Sequence, residues 1–321
     1  MKVLIVGGAC YLGGAVTDLL LAQKKHEIRV YDALLYEHSF LKAVPFVYGD
    51  IRDHEKLLVQ LNWADAVVWL AALVGDGACA VNTDITIEIN NDAVGWLAQN
   101  YSGRIIFTST CSVYGAMDGI LNERSSTNPL SVYAVTKLAA EKKLCGNNAI
   151  VFRLGTLFGL SDQFTRIRLD LVVNTLTVKA YSEKKLTIFG GKQFRPILHV
   201  KDAAAAILDN LETNHKGIYN LHKNNVKIVD LAREVKEQFK DIKVEKVDMQ
   251  FQDSRNYRVS SDKASQAFGF APQYTSADGI AELKKVLEEG RIKDCNNPLY
   301  INQAYLSKSG SHNQYPEKGW I

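Results

Sequence analysis

Tyr133 and Lys137 stand four residues apart in Tyr133-Ala134-Val135-Thr136-Lys137, a spacing that puts both side chains on one face of a helix. An ammonium beside a phenol favours the phenolate, so the pair would make a general acid or base that works near neutral pH. Upstream, Phe107-Thr108-Ser109-Thr110-Cys111-Ser112-Val113-Tyr114-Gly115 offers hydroxyls where an apolar run ends. Thr110 would hydrogen-bond a reacting hydroxyl and align it with the tyrosine. The chemistry is removal of a proton from an alcohol as the same carbon gives up a hydride. The same two residues also suit an ordinary exposed helical face, so their weight depends on what surrounds them.

A hydride needs a carrier. Gly7-Gly8-Ala9-Cys10-Tyr11-Leu12-Gly13 follows an apolar run and opens an amphipathic stretch. A tight turn of this kind lets backbone N–H groups and a helix N-terminus face a pyrophosphate. Glycines also serve plain turns, but Asp32 follows at about the distance at which a carboxylate meets the adenosine ribose. A carboxylate there repels a 2′-phosphate and favours NAD over NADP. Asp32 could instead be a turn residue, and Asp50 in Gly49-Asp50-Ile51 either faces the adenine amine or ends a strand.

The elements that must hold these groups follow from periodicity. Residues 2–6, 27–31, 64–73, 104–109 and 149–154 read as strands, and 13–23 and 130–145 as helices. The later strands are nearly all apolar, as a parallel sheet covered on both faces requires. This alternation predicts an α/β fold, a Rossmann-type doubly wound parallel sheet with a smaller α/β substrate-binding lobe. After Gly159 the pattern changes to mixed loops and helices, with a turn at Gly190-Gly191 and a helix over 200–211. The expected division is an NAD-binding domain at 1–160 with a returning segment at about 195–222. Residues 161–194 and 223–321 then form the smaller lobe and a C-terminal tail, extended from 308 onward.

Composition excludes several classes. With 321 residues, 47% hydrophobic and 23% charged, the chain is an ordinary globular protein long enough for a sizeable core. A net charge of +3 gives no stripe for nucleic acid or a membrane surface. No apolar run approaches a membrane span, and the apolar opening is too short for a targeting segment. Cys10, Cys79, Cys111, Cys145 and Cys295 have neither zinc nor redox spacing, which fits reduced thiols in a cytoplasmic protein without a metal.

Taken together, the turn from Gly7 to Gly13, Asp32, Gly49-Asp50-Ile51, Leu70-Ala71-Ala72, Asn90, the Thr110 strand, Tyr133 with Lys137, and Arg153 with Phe158-Gly159 resemble the extended short-chain dehydrogenase/reductase family. Arg195-Pro196-Ile197-Leu198-His199-Val200-Lys201-Asp202 and Asp253-Ser254-Arg255 extend the likeness to about residue 285. The resemblance implies a nucleotide-diphosphate sugar as substrate, hydride exchange with NAD, and a homodimer. It assigns Thr110, Tyr133 and Lys137 to catalysis. It assigns Gly7, Cys10, Tyr11, Leu12, Gly13, Asp32, Asp50, Ile51, Leu70, Ala71, Ala72, Asn90 and Leu154, with Tyr133 and Lys137, to the cofactor. Arg195 and Arg255 match the residues that grip the substrate diphosphate; each could also be a surface ion-pair residue. His199 is expected to be structural.

Departures from the pattern narrow the expectation. Cys10 replaces the middle glycine of the turn, which makes cofactor affinity something to measure; Trp69 replaces a histidine, and Thr156 an asparagine that often touches the sugar. The 4,6-dehydratase branch carries Asp-Glu after its threonine, whereas this chain has Cys111-Ser112, lining the sugar pocket at most. Leu73-Val74-Gly75 with Cys79, and Arg166-Ile167-Arg168 through Asn174, resemble a narrower subset that includes NAD-dependent 4-dehydrogenases of GDP-manno-heptose in surface-polysaccharide synthesis. Val74, Arg168 and Asn174 join the substrate set on that ground, with Arg166 a weaker candidate. The expected reaction is oxidation at C4 of a nucleotide sugar; 4-epimerase and 4-keto reductase are the alternatives, and an idle NAD-binding sensor is the rival of another class.

Overall fold

A computed structural model describes residues 1–247 and 256–308. In chain order its strands are β1 (Lys2–Val6), β2 (Glu27–Asp32), β3 (Phe46–Tyr48), β4 (Ala66–Trp69), β5 (Arg104–Thr110), β6 (Ala116–Leu121), β7 (Ala149–Leu154), β8 (Thr156–Phe158), β9 (Lys185–Phe189), β10 (Phe194–His199), β11 (Gly217–Leu221), β12 (Asn224–Lys227), β13 (Lys243–Val247) and β14 (Asn256–Val259). Seven of them form one sheet in the order β11-β7-β5-β4-β1-β2-β3, every pair parallel. The strand order reverses between β1 and β4, and at such a switch point the strand ends open into a crevice.

The helices are α1 (Tyr11–Gln23), α2 (His54–Trp63), α3 (Asp76–Val81), α4 (Thr83–Ile87), α5 (Ala93–Asn100), α6 (Val132–Lys143), α7 (Val172–Ser182), α8 (Val200–Asp209), α9 (Ile228–Gln238), α10 (Asp262–Phe268), α11 (Ser276–Glu288) and α12 (Asn302–Lys308). Alternation along β1 explains the layers: Val3 and Ile5 point into a core shared with α1 and α8, while Leu4 and Val6 point into a core shared with α2, α5 and α6. Both faces are dry, so the strand reads as one apolar run. A third core joins α7, α9 and α11 through Leu176, Leu231 and Ile280. No helix among the described residues is long and apolar enough to cross a membrane.

One expectation is corrected. The strand expected over 64–73 ends at Trp69, because Leu70 and Ala71 both donate their N–H groups to the Val6 carbonyl, at 2.8 and 2.9 Å, and turn off the ladder. The returning segment joins the large sheet only at β11; β10 instead pairs with β8 and β12 in a separate three-stranded sheet. Lys308 ends α12, so the tail expected from that residue lies otherwise outside the described residues.

Candidate active site

The cofactor end begins at Gly7, whose φ of +86° lies in the left-handed region. A Cβ on Gly7 would come within 2.4 Å of the Ala71 nitrogen, and one on Gly13 within 2.3 Å of the Gly7 carbonyl. The turn is thus packed too tightly for side chains and leaves its backbone open at the start of α1. Cys10 caps that helix and folds back, its thiol donating to the Gly7 carbonyl at 2.8 Å. Burial, and then the Asp32 carboxylate, push the thiol up to about 12, so it stays neutral and sets no negative charge beside a pyrophosphate. The Asp32 carboxylate, raised by burial, accepts from the Ala9 and Leu34 N–H groups at 2.9 and 2.7 Å.

A cleft runs from this turn past Asp32, Asp50, Ile51, Leu70 and Ala71. These residues fit a dinucleotide. Asp50 lies on its wall, but its carboxylate also holds Arg52 through contacts of 3.0 and 2.7 Å. Periodicity missed Glu37, which lies on the same wall and accepts from the Arg166 N–H at 2.8 Å. Burial pushes it up to about 7. It sits in a loop with no regular spacing to betray it. On the expectation that Asp32 meets the ribose, Asp32→Ala should weaken NAD binding roughly 10- to 100-fold, the worth of one charge-assisted hydrogen bond; fluorescence titration of the purified protein measures this.

The cleft leads into a cavity lined by Leu12, Ala72, Thr110, Tyr133, Lys137 and Leu154. Thr110 ends β5, a strand buried at every residue, and its hydroxyl accepts from the Ser112 N–H at 3.1 Å. Ser131 caps α6 by accepting from Ala134, and donates to Asp76 at 2.7 Å. One turn of α6 then brings Tyr133 and Lys137 to the same cavity. Burial pushes the phenol above its ordinary range, whereas Arg168 and a hydrogen bond with Thr110 pull it down. Burial also lowers Lys137 to about 7, opposed by Glu141 and Cys79. The ammonium rests 4.2 Å from the centre of the Phe107 ring.

Behind this cavity Glu141 receives the Ser109 hydroxyl at 2.5 Å and the Arg153 guanidinium at 2.7 and 3.0 Å. Arg153 also donates to the Tyr114 hydroxyl at 3.0 Å. Glu141→Gln would leave the buried Arg153 short of its counter-charge and should cost about 3 kcal/mol, read as a lower midpoint in denaturant with unchanged slope.

Beyond Tyr133 the cavity opens to a third space lined by Val74, Thr156, Arg168, Arg195 and, from the C-terminal segment, Asn302 and Gln303. Arg168 lines both spaces and pairs with Asp170 at 3.0 Å. Ser112 lines the catalytic cavity and lies 3.3 Å from the Tyr257 hydroxyl.

Several expected ligands stand elsewhere. Asn90 accepts from the Leu73 N–H and donates to the Leu73 carbonyl, both at 2.8 Å, so it holds the loop after β4 instead of facing the cleft. Cys111 is fully buried against Val113 and Tyr257 and donates to the Arg153 carbonyl, away from the sugar space. Asn174 is fully buried and holds Gly159 and the Arg168 carbonyl at 3.0 and 2.8 Å. Arg166 does reach the site, lining both the cofactor cleft and the catalytic cavity, while its guanidinium also donates to the Leu299 carbonyl. Arg255 lies outside the described residues. His199 is structural, as expected: it caps α8 and stacks on Tyr274.

The model of the NAD-dependent epimerase/dehydratase family matches residues 3–221. The UDP-glucose 4-epimerase of Halalkalibacterium halodurans is 29% identical, over 88% of this chain and 94% of that protein. That of Corynebacterium glutamicum is 26% identical, over 88% and 94%. In fold the chain resembles the UDP-glucose 4-epimerase of Thermotoga maritima, solved with UDP-glucose, at a TM-score of 0.79 with 20% identity, covering 91% of this chain and 100% of that one. The Thermus thermophilus UDP-glucose 4-epimerase, solved with NAD, gives 0.77 at 22% identity, over 90% and 99%.

Proposed function

Because the chain belongs to the NAD-dependent epimerase/dehydratase family, and is therefore an enzyme with NAD as cofactor, we propose that it oxidises C4 of a nucleotide-diphosphate sugar and returns the hydride to the other face, as a 4-epimerase. One observation carries this reading. The cofactor cleft, the Thr110, Tyr133 and Lys137 cavity and the Arg168 and Arg195 space share lining residues and form a single trench.

NAD supplies the hydride acceptor and donor. The protein's residues supply the rest: Tyr133 takes the proton of the sugar hydroxyl, the Lys137 ammonium stabilises the phenolate, and Thr110 holds the hydroxyl in line. Arg168 and Arg195 fork onto diphosphate or sugar oxygens. Tyr133 gives the proton back when the ketone is reduced. No carboxylate lines the catalytic cavity among the described residues, and a 4,6-dehydration needs an acid and a base at C5 and C6.

The 4-epimerase names of the curated relatives favour return of the hydride over release of the ketone. A 4-dehydrogenase, for which GDP-heptose is the narrower expectation, uses the same residues and differs only in letting the ketone go. A cytoplasmic homodimer serving surface-polysaccharide synthesis belongs to the same reading, and sedimentation checks its oligomeric part. The test is to incubate purified protein with UDP-, GDP-, CDP- and dTDP-sugars and follow epimer, ketone and reduced cofactor. An epimer without accumulated ketone supports the proposal; ketone with stoichiometric NADH supports the dehydrogenase; no turnover of any of them refutes both.

A further inference from the structure

Beyond α11 the chain comes back to the trench and ends its described course in α12. Leu306 is 2% exposed and belongs to the core under α5 and α6, so this helix is packed into the domain. Asn302, 1% exposed, is the polar centre of the segment. Its backbone N–H donates to Asp170 at 2.9 Å and its amide donates to the Val74 carbonyl at 3.0 Å. Its amide oxygen accepts from Arg166.

Arg166 lines both the cofactor cleft and the catalytic cavity. Its guanidinium lies 4.1 Å from the centre of the Tyr36 ring and donates to the Leu299 carbonyl at 2.7 Å. Asp170 is the partner of Arg168 in the sugar space. One residue therefore ties three walls of the trench: its side chain holds the cofactor side through Arg166 and the loop beside the catalytic residues through Val74, and its backbone N–H holds the sugar side through Asp170. Gln303 then packs on α3, where a Cβ on Gly77 would fall within 2.1 Å of its Oε1.

We propose that Asn302 is a positioning residue that keeps the oxidised sugar in the trench by holding these three walls in one closed arrangement. The inference rests on the oxidation and return described above. In that reaction C4 loses a hydride to NAD⁺ and the hydroxyl loses its proton to Tyr133; return restores both, whereas release leaves one ketone and one reduced cofactor behind. Retention therefore consumes nothing, and every failure of retention can be counted. A buried amide whose hydrogen-bonding capacity is spent inside the wall opposes opening. Asn302 itself does not line the catalytic cavity, so its effect falls on the fate of the ketone more than on proton transfer.

The test compares full-length parent, Asn302→Ala and Arg166→Lys on whichever of the UDP-, GDP-, CDP- and dTDP-sugars the parent converts fastest. Ketone plus NADH is counted per epimer formed. Asn302→Ala loses the two side-chain hydrogen bonds and keeps the backbone one, so the ratio should rise at least about fivefold, the factor that a single hydrogen bond is worth, and rise in the same direction in Arg166→Lys. A merely structural defect would lower the rate and the melting temperature at constant ratio, and an unchanged ratio in both variants overturns the proposal. Hydrogen exchange supplies a readout free of turnover. Amides of 73–77 and 298–303 should exchange faster together in Asn302→Ala; acceleration of 298–303 alone overturns the proposal, because the Val74 loop is then not held. If the parent converts none of these sugars, the functional reading fails, and the exchange result still decides whether Asn302 ties the walls.

Discussion

Tyr133→Phe should lower kcat about 10³-fold, within the range a positioned general acid or base contributes, with little change in the KM for the nucleotide sugar. The substitution removes one oxygen and leaves the ring, which packs against the core formed by β4, β5 and α6. Cofactor binding and melting temperature should stay close to those of the parent, which separates loss of chemistry from loss of structure. The phenol is held above its ordinary range by burial and is pulled down by Arg168 and Thr110. Turnover within about tenfold of the parent would show that another group removes the proton.

Lys137→Met should be equally damaging to turnover, by about 10³-fold, yet should make the protein more stable. Burial holds the lysine at about 7 in the folded chain against 10.5 when unfolded. Between those values the unfolded chain binds a proton that the folded chain does not, so the parent gains stability as pH rises from about 7 to 10.5. Below that window the full cost of burying the ammonium is present. Methionine removes that cost, on the order of 5 kcal/mol. The melting temperature should rise by several degrees at pH 6 and by much less at pH 10. Calorimetry at the two pH values measures it, and a variant less stable at pH 6 than the parent contradicts the account. Such an exchange of stability for function is expected where a charge is buried for its chemistry.

How far the site could be read beforehand depended on whether a residue's role is local. Tyr133 and Lys137 are set by one helical turn, and Gly7 to Gly13 by one strand-to-helix turn, so spacing alone brings each group together. The apolar run through Leu73 hid the end of β4, because the loop beyond Trp69 stays apolar and buries its leucines: Leu70 is 7% and Leu73 1% exposed. Hydrophobicity records burial and not which carbonyl an N–H finds. Asn90 and Asn174 stood out as polar residues in motifs, but their amides serve backbone groups brought near only by the tertiary fold. The C-terminal segment was the least legible part. Asn302 gains its meaning from Val74, which lies 228 residues away in the chain.

The reaction itself is tested most directly with a nucleotide sugar carrying deuterium at C4. The account predicts a primary isotope effect on turnover, with the label recovered at C4 of the epimer or on the nicotinamide of the cofactor. Label appearing in water, or an epimer whose C4 hydrogen comes from solvent, would contradict hydride transfer and with it the role given to Thr110, Tyr133 and Lys137.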